Sequence, residues 1–142
     1  MDTTEKTSIS VETIVKAPID KVWKFWTAPE HITKWNNASA DWHTPRAVND
    51  LRIGEKFVYR MEAKDGSEGF DFSGVYDTVE AKKRIEYTIG DGRKVRVDFV
   101  NIGDETQVRE TFDAENENPV EMQQAGWQSI LDNFKHYAES MQ

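Results

Sequence analysis

Glu110 stands between Val108 and Phe112 in an alternating run, which puts its carboxyl on the apolar side of a strand. A carboxylate in such a place is costly unless it is paired or neutral, and a raised pKa would equip it as a general acid or base. The spacing leaves three settings open. A bulge could turn the side chain to solvent, an arginine could pair with it, or it could serve as a polar handle inside a pocket. The other groups with chemical potential are less suggestive. His31, His43 and His136 are scattered, with no pair at i, i+4. The chain has no cysteine, so no metal site, disulfide or thiolate nucleophile is expected. Gly90-Asp91-Gly92-Arg93-Lys94 superficially suggests a phosphate loop, but no helix follows it and it reads better as a hairpin. No serine carries the local signature of a nucleophile elbow. No cofactor is expected.

Charge narrows the partners. The 142 residues include 18 basic and 26 acidic ones, for a net charge of −8. Such a chain repels phosphate backbones and anionic lipid surfaces, which argues against nucleic-acid and membrane partners. No apolar run approaches the ~18 residues of a membrane span, and the N-terminus lacks a signal-peptide layout. A cytoplasmic location and a monomer are expected. Seven acidic residues face one arginine between Asp104 and Glu121, a run that reads as solvated surface.

The elements that must position these groups are strand-rich. Val and Ile number 21 against 2 Leu, a ratio that suits pleated surfaces. Residues 1–7 are polar and expected to fray; 8–142 read as one domain. Ile9, Val11, Thr13 and Val15 share one face of a first strand, with Ile14 on the wet side. Ile19, Val22, Trp23 and Trp26 form one helical stripe after Pro18. Thr27 with Glu30 reads as a capping box for a second short helix carrying Ile32 and Trp35. A short strand is expected over 40–44. Further strands set Phe57, Tyr59, Met61 and Ala63 on one face, then Phe70, Phe72, Gly74, Tyr76 and Thr78. Ile85, Tyr87 and Ile89 follow, then Val95, Val97 and Phe99, then Val108, Glu110 and Phe112. Turns at Lys64-Asp65-Gly66-Ser67, Asp91-Gly92 and Gly103-Asp104 make an antiparallel meander.

Asn118-Pro119-Val120-Glu121 reads as a capped start to a long helix. Val120, Gln124, Trp127, Leu131, Phe134, Ala138 and Met141 fall on one face, flanked by Gln123, Ile130 and Tyr137. At 1.5 Å per residue, residues 120–141 span about 33 Å, enough to cross a sheet. The fold class is α+β: a curved antiparallel sheet of about six to seven strands, two short helices after the first strand, and a long C-terminal helix lying in its concavity.

Several segments carry a resemblance. Ala17-Pro18-Ile19-Asp20-Lys21-Val22-Trp23 and Pro29-Glu30-His31-Ile32-Thr33-Lys34-Trp35 are followed, in order, by Asp50-Leu51-Arg52-Ile53-Gly54, Gly74-Val75-Tyr76, Thr106-Gln107-Val108 and Gly126-Trp127-Gln128-Ser129-Ile130-Leu131. Together they resemble the activator of Hsp90 ATPase branch of the START-like, or Bet v 1-like (SRPBCC), helix-grip superfamily. Glu55 departs from the pattern, where a second glycine is usual. Asn36-Asn37 also departs, where a Trp or Gly-Pro is frequent. The resemblance implies a sheet-and-helix grip around an internal pocket for a small hydrophobic molecule. It also implies that the N-terminal half of the long helix, with Trp127, borders that pocket.

The expected cavity residues are Trp42, Phe57, Tyr59, Met61, Phe72, Tyr76, Tyr87, Phe99, Glu110, Phe112, Gln123 and Trp127, any of which could instead be solid core. Three functions compete. The first is a module binding an aromatic, polyketide-like or lipid-like ligand, which is more expected than an enzyme. The second is a cyclase- or hydrolase-like enzyme using Glu110. The third, implied by the resemblance and its link to stress response, is a partner of an Hsp90-type ATPase. The eukaryotic activator carries a further N-terminal domain that this chain is expected to lack, which argues mildly against the third.

Overall fold

Residues 7–37 and 39–141 are described by a computed structural model. The expected fraying of 1–7 lies outside these residues except at Thr7, whose carbonyl accepts a hydrogen bond from Ala114 N–H at 2.8 Å. The alternating runs become seven strands. They are β1 (Ser8–Val15), β2 (Trp42–Asn49), β3 (Lys56–Ala63), β4 (Gly69–Glu80), β5 (Arg84–Ile89), β6 (Lys94–Ile102) and β7 (Glu105–Asp113). All pair antiparallel in the order β1-β7-β6-β5-β4-β3-β2, a curled meander closed on one side by the first strand. Two short helices, α1 (Ile19–Thr27) and α2 (Pro29–Trp35), bridge β1 and β2, and α3 (Val120–Ser140) crosses the concave face. The expected α+β helix-grip class is the one observed.

Cross-strand register builds the inner face in rows. Ile9, Phe112, Val95, Tyr87 and Tyr76 lie side by side across five strands, and Val11, Glu110, Val97 and Ile85 form the next row. Leu131, Phe134 and Ala138 of α3 are fully buried against this surface. Gly74 is required by a close approach. A Cβ there would lie 2.8 Å from the Phe57 ring and 2.9 Å from the Thr88 carbonyl oxygen. Gly74→Ala is therefore expected to destabilise by about 1–3 kcal/mol, the scale of overpacking, in urea unfolding. An unchanged midpoint would mean that the ring moves freely.

The face of α3 needs correction. Val120, Gln124 and Met141 are exposed, whereas Gln123 is buried. The reason is the edge of β1. Gln124 and Gln128 side-chain amides donate to the carbonyls of Ser10 and Glu12 at 3.2 Å each, and Lys135 Nζ donates to that of Ile14 at 2.7 Å. The Glu139 carboxylate accepts from Lys16 N–H at 2.9 Å. Polar side chains of α3 thus satisfy an otherwise open strand edge, which turns the apolar stripe by about one residue.

Three local expectations also change. The second strand is longer than 40–44, starting at Trp42 and continuing through Pro45 to Asn49, because a register shift between His43 and Arg46 accommodates the proline on an edge strand. Another shift between Tyr76 and Thr78 turns Thr78 to the outer face, where its hydroxyl donates to Glu86, and brings Val79 opposite Ile85. Thr27 makes no capping box: its hydroxyl donates back to Trp23 O, and Ala28 opens α2. Asn118 likewise does not cap α3, which begins after Pro119.

Candidate functional site

The curl of the sheet and the oblique path of α3 leave a cavity of about 380 Å³ between them. Register places Tyr59 beside Phe72 and Met61 beside Phe70, so β3 and β4 present four large side chains as one wall. Facing them, α3 contributes Met122, Gln123, Gly126, Trp127 and Ile130. Trp26 of α1 and Trp35 of α2, with Asn36, line another side, while Arg93, Glu115 and Asn118 come from two loops. The size and the dominance of aromatic rings are those of small-molecule sites, which run from about 300 to 1,000 Å³.

Six of the twelve expected residues line this space: Tyr59, Met61, Phe72, Glu110, Gln123 and Trp127. Five others form the packed layer behind it. Phe57, Tyr76 and Tyr87 are buried in mutual ring contacts, with centroids 4.8–6.2 Å apart. Phe99 meets Trp23 and Trp26, and Phe112 lies stacked under Trp127 at 3.9 Å. Trp42 is half-buried against Phe70 at 5.9 Å. Trp26, Trp35, Phe70, Met122 and Ile130 were not among the expected residues. The sequence pattern places Trp26 and Trp35 only on the apolar sides of two short helices, yet their rings meet at 4.8 Å and both line the cavity. Of the two family departures, Asn36 lines the cavity and Glu55 does not.

Glu110 points inward. Its register is unbroken against both Val11 and Val97, so no bulge turns it to solvent, and it is 5% exposed. Among the described residues no arginine pairs with it. The cavity's own arginine, Arg93, is held by Asp91 at 2.8 Å. Burial alone pushes the Glu110 carboxyl up to about 8, so at neutral pH it is predominantly a neutral acid. The Gln123 and Asn36 side-chain amides are engaged. Gln123 accepts from Glu115 N–H at 2.9 Å and donates to the carbonyls of Glu115 and Asn118, fastening the loop to the start of α3. The Asn36 amide donates to the Thr44 hydroxyl, which in turn donates to the Asn36 carbonyl. Burial also raises the Tyr59 and Tyr87 hydroxyls well above their ordinary range, with Tyr76 acting next on Tyr59 and Glu110 next on Tyr87. Chemically, the cavity holds an apolar surface, one unclaimed carboxyl and one neutral phenol, Tyr59. It can bind, donate and accept hydrogen bonds, and hold a proton. Among the described residues no group of three His, Cys, Asp or Glu is placed to grip a metal, and no helix is long and apolar enough to cross a membrane.

Known proteins resemble this arrangement closely. No curated protein matches the chain. The solution structure of an AHSA1-like protein from Aeromonas hydrophila is 47% identical, covers 95% of this chain and 94% of its own, and superposes with a TM-score of 0.90. A protein from Cytophaga hutchinsonii is 56% identical over 94% of this chain and 93% of its own, with a TM-score of 0.82. A protein from Chromobacterium violaceum, 18% identical, covers 94% of this chain and 98% of its own; it shares the fold at a TM-score of 0.83. The family model described as Activator of Hsp90 ATPase homolog 1-like protein matches residues 16–139, from the end of β1 to the last turn of α3. The chain thus belongs to the Activator of Hsp90 ATPase homolog 1-like family, within the SRPBCC helix-grip superfamily.

Proposed function

We propose that this protein binds a small, mostly apolar molecule, aromatic or lipid-like, in the cavity between sheet and α3. The carrying observation is that cavity of about 380 Å³, walled by aromatic and thioether side chains around one unclaimed carboxyl. Tyrosine, tryptophan and methionine together make an adaptable apolar surface. The reading is of a cytoplasmic, monomeric carrier or sensor without cofactor, and the strongly acidic surface supports a partner that is neither nucleic acid nor anionic membrane.

Gly126 supplies a direct test. It lines the cavity, and a Cβ placed on it would meet nothing within 4 Å. Gly126→Leu should fill the space while keeping the helix, since leucine is the better helix former by up to about 1 kcal/mol. In an NMR titration with an aromatic-fragment panel, hits on the native protein should shift Tyr59, Phe72, Glu110 and Trp127 together, and Gly126→Leu should abolish those shifts. Shifts confined to surface residues, or undiminished in a folded Gly126→Leu, would overturn the reading.

Glu110 supports a second reading, acid–base catalysis on the bound molecule, because a buried carboxyl titrating at about 8 can give or take a proton near neutrality. Product analysis of the titrated mixtures separates it from simple binding. The family's name supports a third, action on an Hsp90-type ATPase, which predicts stimulation of such an ATPase in trans.

A further inference from the structure

Three charged residues line the cavity, and two of them are committed elsewhere. Arg93 Nε donates to the Asp91 carboxylate at 2.8 Å. The Glu115 carboxylate accepts from the backbone N–H and the side-chain amide of Asn118, at 2.8 and 2.7 Å. The third is Glu110. It has no hydrogen bond or ion pair with any described residue, although only 5% of it is exposed. Among the described residues, no completely buried side-chain oxygen lacks a partner. The Glu110 oxygens have none, so they keep open surface, and the space they open onto is the cavity that Glu110 lines.

Aromatic rings share that space. Trp26, Trp35, Tyr59, Phe70, Phe72 and Trp127 all line it, and the face of each ring carries the negative end of a quadrupole. Phe112, two residues from Glu110 on the same face of β7, stacks on Trp127 at 3.9 Å. Two such positions on a strand lie about 7 Å apart, so a group held by Glu110 stands beside the Trp127 ring. An anion here would be repelled by the carboxylate and by the ring faces. A neutral polar group could satisfy the carboxyl but would gain from the rings only what any apolar surface gains. A cation satisfies both at once, and the net charge of −8 concentrates cations around the chain. On the footing that the cavity is a ligand site, we infer that its ligand is a small amine bound as its cation, with an ammonium paired to Glu110 and an aromatic or alkyl skeleton packed against the rings. In the empty cavity, burial pushes the Glu110 carboxyl up to about 8. The ammonium takes the place of that proton, which leaves to solvent, and no bond of the ligand is made or broken. The one other titratable side chain on the lining, Tyr59, is kept neutral by burial and offers the cation no second anion.

The probes are 1-naphthylmethylamine and three counterparts of nearly equal size: 1-naphthylmethanol, 1-ethylnaphthalene and 1-naphthoate. Affinities come from NMR titration of the full chain at neutral pH, with binding located by shifts at Tyr59, Phe72 and Trp127. The amine should bind about tenfold more tightly than the alcohol or the hydrocarbon, and the naphthoate should bind worst. In Glu110→Gln the amine should fall to the affinity of the alcohol. In the native complex the side-chain carboxyl carbon of Glu110 should show the chemical shift of the ionised form. A protonated Glu110 in the amine complex, an amine preference that survives Glu110→Gln, or an alcohol or hydrocarbon that binds as tightly as the amine would each overturn the inference. If the hydrocarbon shifts the cavity residues and the amine does not, the choice of a cation falls while the cavity reading stands. If no compound shifts them, both fall. The ranking and the carboxyl shift are read on the native protein, so they decide the question even if the variant does not fold.

Discussion

Phe134→Ala is expected to cost about 3–5 kcal/mol of folding stability, the range for deleting a fully buried aromatic ring, whereas Trp127→Ala should fall below that range. Phe134 is completely buried, and its ring meets Trp26 at 4.8 Å and Trp35 at 4.9 Å, both edge to face. With Tyr137, whose ring meets Phe25 and His31, it joins α3 to α1 and α2, so its loss opens a void that none of three elements can close alone. Trp127 lies two turns earlier on the same helix and is only half-buried. One face stacks on Phe112 at 3.9 Å, while the ring also borders the cavity. Dispersion contacts missing on that side cannot be lost again on truncation. Urea unfolding of both variants, with midpoints and slopes compared, checks the difference. Equal losses would mean that the cavity beside Trp127 is closed in solution.

The fold was largely legible because its signals are local. Alternation along each strand, the Asp-Gly and Gly-Asp turns, and prolines at the starts of α2 and α3 all act within a few residues. The expectations that failed depended on partners distant in sequence. Gln124 looked like part of the core stripe because periodicity cannot show that Ser10, 114 residues away, offers it a carbonyl. Alternation carried through Asp77 turns Thr78 inward, and a bulge leaves no mark in the residue types on either side. Gln123 is in the expected cavity set and lines the cavity; what periodicity does not show is that its amide ties down the loop preceding the helix.

The cavity was only half legible, for a related reason. Tyr59, Met61, Phe72 and Glu110 were found because a strand's inner face follows from counting by two. Whether an inward residue borders empty space or a neighbour depends on the path of α3. That path is set by Gln124, Gln128, Lys135 and Glu139 gripping the edge of β1, and by Phe134 wedged between two tryptophans. These contacts hold α3 to the edge of β1 along both of its halves, and to α1 and α2 in its C-terminal half. Gly126, which lines the cavity and brings no side chain to fill it, leaves the space on the inner side of α3 open. Phe57 and Phe112 therefore became core while Trp26 and Ile130 became wall.

Folding stability should fall as pH rises from about 4.5 to about 8, and Glu110→Gln should remove that fall. The unfolded carboxyl ionises near the ordinary value of 4.5, whereas the folded one keeps its proton up to about 8. Between these values the native state binds one proton more than the unfolded state, so raising the pH favours unfolding, by about 1.4 kcal/mol per pH unit. Below the window both states are protonated and the penalty is absent; above it both are ionised and the loss is constant. From pH 5 to pH 7 the loss amounts to about 3 kcal/mol. Asp50, Glu62, Asp91 and Glu139 have lowered pKa values through Arg52, Arg60, Arg93 and Lys135, so they stabilise in the opposite sense, but their effect is lost only as pH falls below the ordinary carboxylate range. Taking the difference between native protein and Glu110→Gln at each pH cancels them. That difference should be near zero at pH 4, favour the glutamine variant by about 3 kcal/mol at pH 7, and level off above pH 8. A difference of opposite sign, or a carboxyl titration by NMR placing Glu110 below about 4, would mean that the carboxylate is paired and charged inside the fold. Such a result would also withdraw the proton on which the acid–base reading depends.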